Sequence, residues 1–144
     1  MRVIGDKKLV DRWEKKFEKW AKKTHTTTKD LVVRVYKRRG KKAFSGYVKG
    51  NFHPLVFTGK TEISLGIPLY PNPYEVEGIF LHELGHYHQF KYYPNTYYGI
   101  SIAEKQFYAD KFAYKFCPKF PPGRGYSKYQ KWVIEKERGK RREN

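Results

Sequence analysis

Residues 72–86 read Asn72-Pro73-Tyr74-Glu75-Val76-Glu77-Gly78-Ile79-Phe80-Leu81-His82-Glu83-Leu84-Gly85-His86, and this stretch decides the fold expected of the chain. Asn72 offers a side-chain oxygen as a helix cap, Pro73 suits the first helical position, and Glu75 puts an acid in the first turn. Ile79, Phe80, Leu81, Leu84 and Tyr87 spread apolar surface over much of the helix that follows, as a buried central helix requires. Pro94-Asn95 closes it soon after Phe90. Gly78 and Gly85 lower helix propensity, which the close approach of another backbone would explain.

His82 and His86 stand four apart on that helix. With about 3.6 residues per turn they project from one face, near enough to share a tetrahedral zinc. Glu83 points beside the metal rather than at it, where a carboxylate can take a proton from a zinc-bound water. The HExxH spacing therefore predicts hydrolysis, with His82 and His86 as metal ligands and Glu83 as catalytic base.

The rest of the chain bounds the setting. Its 144 residues suffice for one domain with a core, and 18% aromatic residues argue against disorder despite 31% charged ones. No apolar run approaches the length of a membrane span and no signal-peptide core opens the chain. Cys117 is the only cysteine, so an intrachain disulfide and a cysteine metal cluster are excluded, and a reducing, cytoplasmic location is expected. The formal charge is +17, unevenly spread. Residues 1–42 hold 16 Lys/Arg against 5 Asp/Glu, residues 43–100 hold 3 against 4, and residues 101–144 hold 12 against 5. The basic flanks could attract nucleic acid, an anionic membrane or an acidic protein, or could be a solvated surface.

Along the chain, 6–23 reads as an amphipathic helix, with Leu9, Val10, Trp13, Phe17 and Trp20 at three- and four-residue steps. It could pack on a core or lie on a membrane surface. Leu31–Lys37 reads as a strand, turned through Arg38–Lys42 into a second strand near 43–48 as a hairpin. Asn51 to Gly59 reads as irregular and Thr61–Ile67 as a third strand. A tyrosine-rich loop after Pro94 leads to a helix from Ser101 to about Phe116, stopped by Pro118. A connector at 121–125, a C-terminal helix from Ser127 and a loose basic tail at 137–144 complete a single domain over 1–136.

This order of helix, short antiparallel sheet, HExxH helix and second helix resembles the zincin metallopeptidases. The likeness is closest to the gluzincins in their minimal single-domain form, and it spans about residues 60 to 116. It implies an α+β fold and a zinc-dependent peptidase acting on a peptide or protein substrate. In that family the strand before the motif forms the sheet edge and pairs with an extended peptide, a role that would fall here to Thr61–Ile67 with Ile63, Ser64 and Leu65 at the substrate.

The resemblance also implies where a third ligand should lie. Gluzincins take it from the next helix, as a glutamate four residues before an aspartate. The matching stretch is Gln106-Phe107-Tyr108-Ala109-Asp110. Asp110 fits the acid that orients a ligand histidine through its free ring N–H, and Ala109 and Ala113 suit close helix packing. The ligand position holds Gln106, whose neutral carbonyl oxygen binds zinc less well than a carboxylate. Glu104 is the alternative. It lies about 200° around the helix from Gln106 and fits a capping box with Ser101.

Other candidates are weaker in the sequence. His25, His53 and His88 are isolated, and Tyr87, Tyr97 and Tyr98 are all placed to stabilise an oxyanion. The competing reading of the whole chain is a basic nucleic-acid-associated protein on a zincin scaffold with little or no hydrolysis, motivated by Gln106 and the flanking charge.

Overall fold

A computed structural model describes residues 1–38, 48–54 and 60–119. These residues form an α+β domain in the order β1 (Arg2–Gly5), α1 (Lys7–Lys23), β2 (Leu31–Lys37), β3 (Lys49–His53), β4 (Thr61–Ile67), α2 (Pro73–Tyr92), α3 (Pro94–Gly99) and α4 (Ile102–Phe116). The strand near 43–48 falls almost entirely outside the described residues. So do the connector, the C-terminal helix, the basic tail and the boundary at 136.

Local rules set the helix ends. The Asp6 carboxylate accepts from the Leu9 amide to start α1, and the Asn72 side chain accepts from the Tyr74 amide to start α2 with Pro73 in its first turn. Ser101 caps α4, accepting from the Glu104 amide. The stretch after Pro94, expected as a loop, is instead the short helix α3, because the proline sits where a first helical turn leaves an amide unpaired anyway. No helix among the described residues is long and apolar enough to cross a membrane.

The four strands form one sheet in the order β1-β2-β4-β3. The expected antiparallel sheet is corrected: β1–β2 and β2–β4 are parallel, and only β3–β4 is antiparallel. Parallel neighbours need a long crossover, and α1 supplies it between β1 and β2. β2 pairs with β1 on one side and β4 on the other, and the second strand of the expected hairpin lies almost entirely outside the described residues. β4, expected at the edge, is central. β3 takes the outer position, with Gly50 opposite Leu65, Asn51 opposite Ser64 and Phe52 opposite Ile63.

One face of this sheet carries the core. Leu31, Val33 and Val35 alternate inward on β2, beside Ile63 and Leu65 on β4, and all five are buried. Helices α1 and α2 cover them and touch through the stacked rings of Phe17 and Phe80, 4.2 Å between centroids. Trp20 Nε1 donates to Glu77 Oε1 at 3.0 Å, tying the same helices at their rim. α4 packs along the other flank of α2. A Cβ on Gly85 would lie 3.0 Å from both Ala109 Cα and Phe112 Cβ, so the glycine and Ala109 let the two backbones approach closely. That approach positions the site.

Candidate metal centre

The site lies where α2 faces α4 and β3. His82 and His86 share one face of α2, their rings 4.9 Å apart and nearly perpendicular. From α4, Gln106 Oε1 stands 2.7 Å from His82 Nε2 and 3.2 Å from His86 Nε2. Asp110, one turn further along α4, has Oδ1 2.7 Å from His82 Nδ1. Both α4 residues face the imidazoles because they are four apart, as the histidines are.

Proton bookkeeping restricts what this cluster can be. With its Nδ1–H donating to Asp110, a neutral His82 directs the Nε2 lone pair at Gln106 Oε1, itself a lone-pair atom. Two such atoms at 2.7 Å repel unless a proton or a cation lies between them. Burial opposes a charge on His82, but the Asp110 hydrogen bond and the charges of Glu83 and Asp110 outweigh it and raise its pKa. The contacts to Asp110 and Gln106 thus favour the protonated form of His82. Burial pushes His86 down to about 3, with the charge on His82 adding to the effect, and its neutral ring donates to Gln106 from Nε2. His82 Nε2, His86 Nε2 and Gln106 Oε1 converge on one point, as potential metal donors would.

The donors present fit a zinc ion. Two imidazole nitrogens and one oxygen leave a fourth coordination place open, and the neutral oxygen makes the set weaker than one with a carboxylate. Among the described residues no group of three His, Cys, Asp or Glu side chains could hold a metal. Glu104 is not brought to the imidazoles. It closes the start of its own helix on Ser101, with its amide 3.2 Å from Ser101 Oγ. Asp110 Oδ2 is buried and lacks a hydrogen-bond partner among the described residues.

Glu83 is also buried, and burial raises its pKa to about 7, partly countered by the His82 charge. Its carboxylate faces β3. A Cβ added to Gly50 would meet the Glu83 side chain at 3.0 Å and the Ile79 side chain at 2.6 Å, so only glycine lets this edge strand lie against the helix. Two residues on, the Phe52 ring stacks on His86 at 6.0 Å and meets Tyr97 edge-on at 6.2 Å. Reading 51–59 as irregular misses Phe52, and ending the preceding strand at 48 misses Gly50. The sequence Lys49-Gly50-Asn51-Phe52-His53 offers only a lone glycine as a signal of close backbone approach.

The substrate contacts expected at Ile63, Ser64 and Leu65 are corrected. These residues are buried and their strand is hydrogen-bonded on both sides, so β4 has no free edge to offer. Among the described residues, the free edge nearest Glu83 is that of β3.

The three tyrosine candidates separate. Tyr87 donates to the Thr27 carbonyl and accepts from Lys91, while Tyr98 is largely exposed. Tyr97 is buried beside the site. Burial raises its pKa, with Tyr98 and Glu83 adding to the effect, and Lys105 Nζ lies 4.3 Å from its ring centre. His88 points away and bonds the Tyr108 hydroxyl at 2.8 Å. Compared with known proteins, the chain matches no family model, no curated protein and no solved structure.

Proposed function

We propose that this chain is a zinc-dependent peptidase whose third metal ligand is the amide oxygen of Gln106. The observation that carries the reading is the convergence of His82 Nε2, His86 Nε2 and Gln106 Oε1 next to the buried Glu83. A zinc ion held there would supply Lewis acidity toward a carbonyl oxygen and would make water more acidic. The protein's own residues supply the remainder. Asp110 fixes the His82 ring and keeps its Nε2 directed into the site. Glu83, with a pKa raised to about 7, is poised to accept a proton from the attacking water and return it to the leaving amine. An extended peptide would pair its backbone with the outer edge of β3, whose Gly50 lies against the Glu83 side chain.

The test is cleavage of a mixed quenched-fluorescent peptide library by the full chain in zinc, alongside Glu83→Gln. Cleavage should fall more than a hundredfold in the variant while zinc content, measured by atomic emission, stays at the wild-type level. Wild-type protein that retains no zinc after desalting, or Glu83→Gln that cleaves at the wild-type rate, overturns the proposal.

A further inference from the structure

The exposed side of α1 is divided by charge. At about 100° per residue, Lys8, Arg12, Lys15, Lys16, Lys19 and Lys23 fall within an arc of about 100° and extend about 22 Å along the helix. Asp11, Glu14 and Glu18 gather on a separate arc, with Lys7 among them and Lys22 between the two arcs. All six stripe cations are exposed, and none forms an ion pair among the described residues. Asp11 and Glu18 stand one helical turn from Lys15 and Lys22, the usual pairing distance. A surface built only for solubility would intersperse its charges; here one sign is collected and left unpaired.

The stripe is also held in place. Arg12 and Lys16 lie 5.0 and 5.1 Å from the centre of the Trp13 ring, and Lys23 lies 5.0 Å from that of Trp20. Cation–π contact restrains three of the six side chains along the helix, which lowers the entropy lost when a partner arrives. Trp13 and Phe17 are fully buried against the core, so the helix cannot roll to insert an apolar face into a lipid surface. None of the exposed large apolar residues belongs to α1, so no hydrophobic anchor accompanies the charge. The surface offers a straight row of cations and little else, which suits a regular polyanion.

We infer that the α1 stripe binds the phosphate backbone of nucleic acid without reading its sequence. The inference is independent of the metal centre. Duplex DNA presents about one charge per 1.7 Å of axis, so 22 Å of stripe spans enough phosphates to engage all six cations.

The experiment is fluorescence polarisation of the full chain with a fluorescein-labelled 24-base-pair duplex between 50 and 300 mM KCl. Lys8, Lys15 and Lys19 are changed together to Gln. A control changes Lys29, Lys60 and Lys111, three exposed lysines elsewhere, to Gln. The stripe variant should lose at least tenfold in affinity at 100 mM salt, and its plot of log affinity against log salt should flatten by about 2.7, or 0.9 per contact. The control should lose less than threefold. Equal losses in the two variants, or an unchanged slope in the stripe variant, overturn the inference. So does stripe-dependent sedimentation with phosphatidylserine vesicles in the absence of duplex binding, which would assign the surface to a membrane.

Discussion

The carbonyl oxygen of Gln106 lies 2.7 Å from Nε2 of His82, a nitrogen whose ring partner atom is already engaged by Asp110 at the same distance. An amide thus stands where a helix-borne carboxylate would complete a strong zinc site. Gln106→Glu keeps the chain length and adds a negative charge facing two imidazoles. Zinc affinity, read by competition with a chelating dye, should rise at least tenfold, equivalent to about 1.4 kcal/mol. An unchanged affinity would show that residue 106 is not a ligand, whatever its proximity to the rings.

Asp110 acts one atom further out. Asn at this position can still accept from His82 Nδ1, but it lacks the charge that makes the imidazole a better donor to metal. The same titration on Asp110→Asn should show a loss of about 10- to 100-fold in affinity, the range found for outer partners of metal-bound histidines. A loss below twofold would leave Asp110 with only a structural part.

The distance between α2 and α4 sets how the two halves of the centre meet, and Gly85 sets that distance. A valine there would place its Cβ 3.0 Å from Ala109 Cα and Phe112 Cβ, so α4 would have to move away and carry Gln106 with it. Overpacking of this kind costs about 2 kcal/mol, or roughly 4–8 °C in melting temperature for a domain of this size. Zinc affinity should fall in parallel. A destabilised Gly85→Val that binds zinc normally would separate the helix packing from the site.

The parts of this molecule legible in sequence are those fixed by local rules. Asn72-Pro73 and Ser101 mark helix starts through one or two side-chain bonds each, and Gln106 and Asp110 share a helix face by spacing alone. Thr61–Ile67 reads as a strand from its residues, but its place in the sheet is a matter of long-range pairing. Nothing within β4 says that β3 will lie outside it. β1 has only four residues, too few to show a period, and Gly50-Asn51 interrupts the pattern of β3. Which strand is free to pair with another chain depends on which comes last in space, not in sequence.

Glu83, the proposed base, is held buried at a cost to the fold. Its pKa is raised from 4.5 to about 7, first by burial, so the folded state favours the protonated acid. A raised carboxyl pKa contributes stability that is fully present below 4.5 and is lost as pH climbs through about 7. Across that window the ionised side chain should cost the metal-free protein about 3 kcal/mol, at 1.36 kcal/mol per unit. Glu83→Gln removes this dependence. At pH 4.5 the buried wild-type acid is as neutral as the amide, so the two proteins should differ little there. In chelator-treated protein, urea unfolding should therefore find the variant's stability relative to wild type rising by about 2–3 kcal/mol between pH 4.5 and pH 8. A bound cation reverses the electrostatics by favouring the carboxylate, so zinc should erase most of the variant's advantage at pH 8. A stability difference that stays constant across this pH range in the metal-free protein would mean that burial does not raise the Glu83 pKa toward the neutral range where it could act as a base.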